Sequence, residues 1–213
     1  MIFSADDERA HPTHDLISRA LEAIRQAQSV SLTDISKRMK TSPYYPDVWP
    51  GEHYKLLAGL VLTLRPTNII EIGTATGLSA LAMKKYLPQN GKIVTFDIVA
   101  WKSFADTCLV QGDFEDGRLL QETDDLSDPV LVQKHRELLV DADMIFLDAA
   151  KDGSMEERFI SNFRSVPFTK SPLFVFDDIR VWNMLKIWRD ISMPKLDLTS
   201  FGHWSGTGLV QWQ

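Results

Sequence analysis

The sequence predicts an α/β fold with a doubly wound, mostly parallel sheet that follows an N-terminal helical extension. From Asn68 onwards, short apolar runs alternate with helical segments, which is typical of parallel sheets with right-handed crossovers. The first such run, NIIEI, leads into a turn that contains Gly73 and Gly77 and then into a helical segment. Ligands of these sheets bind beyond the carboxyl ends of the strands, so we expect a binding site at this turn.

The predicted extension covers residues 1–50, and the predicted domain covers residues 51–213. Thr13 is a candidate N-cap for a helix in HDLISRALEAIRQAQ, and LTDISKRM predicts a second, short helix. Three prolines in TSPYYPDVWPGEHY predict a loop. The N-terminal helices and the YYPDVWP part of this loop could cover the site or pair the subunits of a homodimer. A helix in EHYKLLAGLVLTL should end at Arg65-Pro66, because proline disfavours helical backbone in the residue before it.

The rest of the chain continues the alternation up to a β-like tail. Strands are predicted at NIIEI, KIVTFD, TCLVQG, MIFLDA and LFVFDD, and helices at LSALAMKKYL, PVLVQKHRELLV, SMEERFISNF and VWNMLKIWRDI. The tail, KLDLTSFGHWSGTGLVQW, has two β-like runs around a Gly/Ser-rich connection and predicts a closing hairpin.

Composition narrows the possible functions. A chain of 213 residues with 44% hydrophobic residues can bury the core of one domain with additions. Its net charge of -6 disfavours nucleic acid and anionic membranes as partners. The single cysteine, Cys108, excludes an intrachain disulfide and a cysteine-based zinc site. The acidic N-terminus is unlike a signal peptide, and the apolar run Leu56 to Leu64 is far shorter than the roughly 20 residues of a membrane span, so we expect a cytoplasmic protein.

The glycine turn does not match the common phosphate-binding motifs. It lacks the Gly-Lys-Ser/Thr ending of a P-loop and the third glycine of the dinucleotide fingerprint, which disfavours a nicotinamide dehydrogenase. Glu71 precedes Gly73 by two positions and would repel a pyrophosphate but attract a cationic ligand. Asp97 ends the next strand, where a carboxylate can bind ribose hydroxyls. Taken alone, the glycines are also consistent with a turn that binds nothing.

Five segments in order resemble a known family. EIGTATGLSALAM, VTFDI, VQGDF, MIFLDAAKDG and LFVFDDI are together similar to the class I S-adenosylmethionine-dependent methyltransferases, and specifically to the metal-dependent O-methyltransferases of the catechol and caffeoyl-CoA type. The resemblance extends from about Glu52 to Trp212. It implies a Rossmann-like sheet of about seven strands, the last of them antiparallel.

The resemblance also implies a site for S-adenosyl-L-methionine. The residues expected to form it are Glu71, Gly73, Thr74, Thr76, Ser79, Asp97, Asp113 and Phe114. Those from Glu71 to Ser79 would hold the methionine portion, with Ser79 near its carboxylate at a helix N-terminus. Asp97 would bind the ribose, and Asp113 with Phe114 would flank the adenine. The alternatives are that Asp113 is a turn residue and that Phe114 packs in the core.

The resemblance further places Asp148, Asp177 and Asp178 together at the ends of the fourth and fifth strands. Such oxygen ligands suit Mg²⁺ or a similar divalent cation, which would lower the pKa of an acceptor hydroxyl and orient it for methyl transfer. Alternatively, Asp178 caps the next helix and Asp177 is a solvated strand end. The family usually has Asn at the position of Asp178, and the additional negative charge here would raise the affinity for a cation.

Asp148, Lys151 and His203 are the candidate catalytic residues. Lys151 matches a lysine proposed as general base in the catechol-type enzymes, although a surface lysine is equally consistent with the sequence. His203 could act as a base or contact the acceptor, although a lone histidine in a hairpin is more often structural.

The acceptor is expected to be a small hydroxylated molecule. Four tryptophans in loops or at element ends could stack on it: Trp49, Trp101, Trp182 and Trp204. The polar, glycine-rich tail favours a saccharide or another polyhydroxylated natural product. A phenol or catechol acceptor is the alternative, as is a non-catalytic module that binds S-adenosylmethionine.

Overall fold

The seven-stranded sheet at the centre of the fold is described by a computed structural model, which covers residues 10–40 and 45–213. The acidic N-terminus at 1–9 and part of the predicted loop, 41–44, lie outside the described residues. The strands are β1 (Asn68–Ile72), β2 (Lys92–Phe96), β3 (Leu119–Glu122), β4 (Met144–Leu147), β5 (Leu173–Asp177), β6 (Lys195–Asp197) and β7 (Thr207–Gln211). Their order is β3-β2-β1-β4-β5-β7-β6, and β7 runs antiparallel to both of its neighbours.

Helices cover both faces of the sheet, which confirms the predicted doubly wound α/β class. The helices are α1 (His14–Ser29), α2 (Thr33–Ser36), α3 (Tyr54–Leu64), α4 (Leu78–Tyr86), α5 (Pro129–Lys134), α6 (Arg136–Val140), α7 (Ser154–Arg164) and α8 (Met184–Asp190). Apolar side chains of α1 to α4 form one buried cluster with the sheet, and those of α5 to α8 form the other. In the part of the chain that is described, no helix has the length and apolar character needed to cross a membrane.

The N-terminal helix α1 packs directly on the domain. The Thr13 hydroxyl accepts a hydrogen bond from the Leu16 amide at 3.1 Å, as the predicted N-cap requires. α1 crosses α3 so closely that a Cβ atom on Gly59 would lie 2.3 Å from the carbonyl oxygen of Ala23. The segment predicted as an extension therefore shares one core with the sheet.

The third strand lies later in the chain than predicted. The segment TCLVQG is not a strand, because residues 107–110 are irregular and Gln111–Asp113 forms a 3₁₀ turn. β3 instead pairs with β2 in parallel, Leu119 opposite Ile93. As an edge strand it is only partly buried, so its sequence lacks the continuous apolar run of a central parallel strand. Two predicted helices also differ, since PVLVQKHRELLV is divided at His135 and α8 begins only at Met184.

Candidate active site

The glycine turn brings the carboxyl ends of β1, β2 and β4 close together. The amide of Gly73 donates to the carbonyl of Phe96 at 2.8 Å. Gly73 has φ 101°, and a Cβ atom there would lie 1.9 Å from the carbonyl oxygen of Asp148, so both its backbone conformation and its neighbours require glycine. Gly77, with φ 82°, precedes α4. The backbone of β1 can therefore turn directly over the end of β4.

A cavity of about 240 Å³ opens beside this turn. Its walls include Gly73 of the turn, Asp97 after β2, the segment Asp124 to Leu126 after β3, and Asp148 after β4. The Asp97 carboxylate accepts hydrogen bonds from the backbone amides of Ala75 and Val99, each at 3.0 Å. These bonds fix the carboxylate at the cavity wall. The cavity thus lies where doubly wound sheets bind their ligands.

Four other predicted cofactor residues do not line this cavity. Glu71, Thr74 and Ser79 are buried around the turn, where the hydroxyls of Thr74 and Thr95 are 2.7 Å apart. The backbone carbonyl of Thr76 accepts a hydrogen bond from the Cys108 amide. Both carboxylate oxygens of Glu71 are buried without a hydrogen-bond partner among the described residues. Burial raises the pKa of Glu71 to about 7, although the nearby hydroxyls of Ser79 and Thr95 act in the opposite direction.

Asp113 and Phe114, the predicted adenine neighbours, are not among the residues that line the cavity. The Asp113 carboxylate forms an ion pair with Arg38 at 2.8 Å and accepts the Val110 amide at the same distance. Phe114 stacks on Trp101 with ring centroids 5.3 Å apart. The difference follows from the later start of β3, because the residues that follow its carboxyl end face the cavity instead.

Asp148, Asp177 and Asp178 do meet, at the ends of the neighbouring strands β4 and β5. Each offers an oxygen atom, and these atoms lie within 4.8 Å of one another. Asp177 is buried and so is not a solvated strand end. Asp178 does not cap α8, because its carboxylate contacts Ser205 and also lies 3.3 Å from the Nζ of Lys151. Asp148 also lines the cavity, so the cluster and the cavity share a residue.

Lys151 and His203 both contact this carboxylate cluster. Lys151 is buried and forms ion pairs with Asp148 and Asp178, so it is not a surface lysine. The Nδ1 atom of His203 lies 3.2 Å from each carboxylate oxygen of Asp177. The same nitrogen is 2.7 Å from the hydroxyl of Ser205.

Glu52 and His53 extend the cluster, and the sequence gives no local sign of this. Gly51 forms two backbone hydrogen bonds to the loop around His203: its amide donates to Gly202 at 3.1 Å, and its carbonyl accepts from Trp204 at 2.9 Å. Glu52 Oε2 consequently lies 3.6 Å from His203 Nε2. His53 Nδ1 lies 3.4 Å from an oxygen of Asp177. Only the pairing of segments far apart in the chain reveals these neighbours.

Comparison with known proteins identifies the family. The profile of a family described as O-methyltransferase matches residues 24–164, which is more than half of the chain. The chain belongs to the O-methyltransferase family. The resemblance to S-adenosylmethionine-dependent O-methyltransferases is thereby confirmed, as is the expected class of enzyme. Among curated proteins, none matches the sequence significantly.

Solved structures share the fold of this O-methyltransferase at low sequence identity. A candidate caffeoyl-CoA O-methyltransferase from Staphylococcus aureus has a TM-score of 0.58 and 14% identity, covering 92% of this chain and 100% of its own. The methyltransferase PaMTH1 of Podospora anserina, bound to S-adenosylhomocysteine (SAH), has a TM-score of 0.56 and 15% identity, with 100% and 98% covered. An SAH-bound O-methyltransferase from Bacillus cereus has a TM-score of 0.52 and 17% identity, with 91% and 90% covered.

The electrostatics of the O-methyltransferase cluster are dominated by its carboxylates. Burial lowers the pKa of Lys151, but the negative charges of Asp148 and Asp177 outweigh it and hold the pKa above its usual value. Burial likewise lowers the pKa of His203, but hydrogen bonds to Asp177 and Asp178 outweigh this effect and raise the pKa to about 10. Lys151 therefore carries its proton at neutral pH and has no lone pair with which to accept another.

Two residues of the cluster have left-handed backbone conformations. Lys151 has φ 61° and Asp178 has φ 59°. Residues other than glycine rarely adopt this region, which costs of the order of 1 kcal/mol or more and is concentrated at functional sites. With these backbone conformations, the Lys151 side chain forms an ion pair with Asp148, and the Asp178 carboxylate accepts a hydrogen bond from Ser205.

Two of the four predicted tryptophans are available to an acceptor. Trp182 is 75% exposed and Trp204 is 69% exposed, and the Trp204 ring lies 5.5 Å from that of His203. The other two have protein partners, because Trp101 stacks on Phe114 and the Trp49 indole donates to the carbonyl of Phe201.

Proposed function

We propose that the protein transfers the methyl group of S-adenosyl-L-methionine to a hydroxyl of a small polyhydroxylated acceptor, with a divalent cation held by Asp148, Asp177 and Asp178. The acceptor class is a saccharide or a related natural product. One observation carries the proposal: Asp148 lines the cavity and is also a member of the carboxylate cluster. A methyl donor in the cavity would thus lie next to a hydroxyl held at the cluster.

The cavity has groups that suit each part of the methyl donor. Asp97 would accept hydrogen bonds from the ribose hydroxyls. Asp124 to Leu126 would border the adenine in place of Asp113 and Phe114. The methionine end would lie over the glycine turn, where the unpartnered carboxylate of Glu71 favours a nearby cation. The two SAH-bound neighbours of the same fold support this donor.

The carboxylate cluster suits a hard divalent cation such as Mg²⁺. Its three carboxylates offer oxygen ligands from two adjacent strand ends, which is the ligand chemistry that Mg²⁺ prefers. When bound, such a cation supplies Lewis acidity that lowers the pKa of a hydroxyl. Lys151 adds positive charge beside Asp148 and would stabilise an acceptor oxyanion. His203, at the same cluster, would orient the acceptor or move its proton, provided that the imidazole has lost its own.

Chelation tests the cation requirement directly. Methyl transfer from labelled S-adenosylmethionine should stop in EDTA and return when Mg²⁺ is added. Asp148→Asn should lose activity, whereas Asp106→Asn, at an exposed aspartate, should behave as the wild type. Activity that persists after complete chelation would exclude the cation. Calorimetry with S-adenosylmethionine distinguishes an enzyme from a folded protein that does not bind the donor.

The exposed aromatic side chains support the proposed acceptor class. Trp204 and Trp182 present ring faces on which a sugar or an aromatic ring can stack. A screen of sugars, polyhydroxylated natural products and catechols, with and without Mg²⁺, tests this part of the proposal. Methylation restricted to catechols would favour the phenol alternative. The cytoplasm remains the proposed location.

A further inference from the structure

A second set of potential metal ligands lies beside the three carboxylates. His53, Asp177 and His203 each offer one ligand atom, and these atoms lie within 4.8 Å of one another. The set shares only Asp177 with the proposed Mg²⁺ site. It differs in chemistry, because two of its three ligands are imidazole nitrogens.

The imidazole of His53 has nitrogen atoms that are free to bind a ligand. It is 3% exposed, and neither of its ring nitrogens has a hydrogen-bond partner among the described residues. Its Nδ1 atom is directed at Asp177 but remains 3.4 Å from the carboxylate oxygen. Buried polar atoms almost always have partners, since leaving one unpaired is costly. The contacts of His53 within the protein therefore leave both ring nitrogens without a hydrogen bond in the described part of the chain.

The separations of the ligand atoms leave room for a metal ion between them. His53 Nδ1 is 3.4 Å from Asp177 Oδ1, and His203 Nδ1 is 3.2 Å from the Asp177 oxygens. Hydrogen bonds between nitrogen and oxygen are commonly about 2.9 Å long. Tetrahedral ligands that each lie about 2.1 Å from a zinc ion are separated from one another by about 3.4 Å. The two edges that run to Asp177 thus already have roughly the length found in a tetrahedral site, and the third, between the histidines, is at most 4.8 Å.

Charge and access also favour a dication here. Glu52 and the three aspartates contribute four carboxylates, whereas among the described residues the amino group of Lys151 forms ion pairs with two of them, Asp148 and Asp178. A metal ion that displaces the proton of His203 therefore meets an excess of negative charge, which attracts a divalent cation. The His203 side chain is 17% exposed and Glu52 is 13% exposed, so the site can be reached from this side.

We propose that His53, Asp177 and His203 form a separate binding site for a nitrogen-preferring divalent metal, represented by Zn²⁺. Imidazole ligands suit Zn²⁺ and similar transition metals, whereas Mg²⁺ prefers oxygen. The inference concerns binding and does not require that the proposed methyl transfer occur. Asp177 would contribute to both sites, and the two histidines distinguish them.

Titration of metal-free protein with Co²⁺ provides a direct test, because tetrahedral Co²⁺ absorbs visible light and competes with Zn²⁺. We expect one strong equivalent, displaced by Zn²⁺ but not by Mg²⁺. His53→Gln should weaken Co²⁺ affinity by at least about tenfold, since metal-site substitutions commonly cost that much or more. Asp148→Asn should leave the Co²⁺ spectrum intact while weakening Mg²⁺ binding. His14→Gln, at an exposed histidine, is the matched control.

Three outcomes would overturn the proposal. These are the lack of a visible band with stoichiometric Co²⁺, a band unchanged in both His53→Gln and His203→Gln, and a band lost instead in His135→Gln. The last would place the ion at the separate cluster of Glu122, Asp124 and His135. Because a buried substitution can impair folding, X-ray absorption of the Zn²⁺-loaded wild type provides an independent measurement. It should show two imidazole ligands, and oxygen ligands alone would refute the site.

Discussion

The buried carboxyl group of Glu71 should make the free energy of unfolding depend on pH in a defined direction. Glu71 is wholly buried, and burial raises its pKa from 4.5 to about 7. Because the folded-state pKa is the higher one, the stabilising contribution is complete below pH 4.5 and is lost as the pH rises to about 7. Each pKa unit corresponds to about 1.4 kcal/mol, so the whole difference amounts to roughly 3 kcal/mol.

Glu71→Gln removes this titration while keeping the size of the side chain. Urea unfolding of wild type and variant, without cofactor, should be compared from about pH 4.5 to about pH 8.5. Relative to the wild type, the variant should gain roughly 3 kcal/mol of stability across this range. Other titrating groups cancel in the comparison. Glu115→Gln, at an exposed glutamate, should follow the wild type. A difference between Glu71→Gln and wild type that does not vary with pH would refute the reasoning.

Four further substitutions test other parts of the site. Asp148→Asn should lower kcat by at least about a hundredfold in methyl-transfer assays, and a smaller effect would exclude a central role. In metal-free protein, the stability deficit of His203→Gln should shrink as the pH rises from 6.5 to about 10, measured by urea unfolding, and a constant deficit would contradict the raised pKa. Gly73→Ala should cost more than about 2 kcal/mol because of its contact with the Asp148 carbonyl, whereas Gly112→Ala, in open space, should melt as the wild type does. Trp204→Ala should raise the KM for the acceptor without changing the melting temperature, and an unchanged KM would exclude stacking there.

The sequence predicts the central strands and the closing β6–β7 hairpin well but misplaces the edge strand β3. β1, β4 and β5 are buried along their whole length, so their apolar runs are unambiguous. β3 has one neighbour and alternates buried Leu119 with exposed Leu120, which makes TCLVQG look the better strand. Because β3 begins only at Leu119, the residues that follow its carboxyl end and line the cavity are Asp124 to Leu126, whereas Asp113 and Phe114 precede the strand.

The site is predictable where it lies at strand ends and unpredictable where distant segments meet. Asp148, Asp177 and Asp178 lie at the carboxyl ends of buried neighbouring strands, so topology alone brings them together. Glu52 and His53 reach the cluster only because Gly51 pairs with the loop around Gly202. No local sequence pattern predicts a contact between two irregular segments so far apart in the chain. Their backbone hydrogen bonds form only when the rest of the fold has brought them together.

This pairing has a consequence for the folding of the chain. The ligand sets draw on residues near the start of the domain, on two strand ends and on the last loop before β7. Contacts so distant in sequence are costly to close and tend to form late. During synthesis, the glycine turn and the first strands can assemble before His203 emerges, but the cluster cannot. The cluster should therefore form in one of the last steps of folding, after the sheet that supports it.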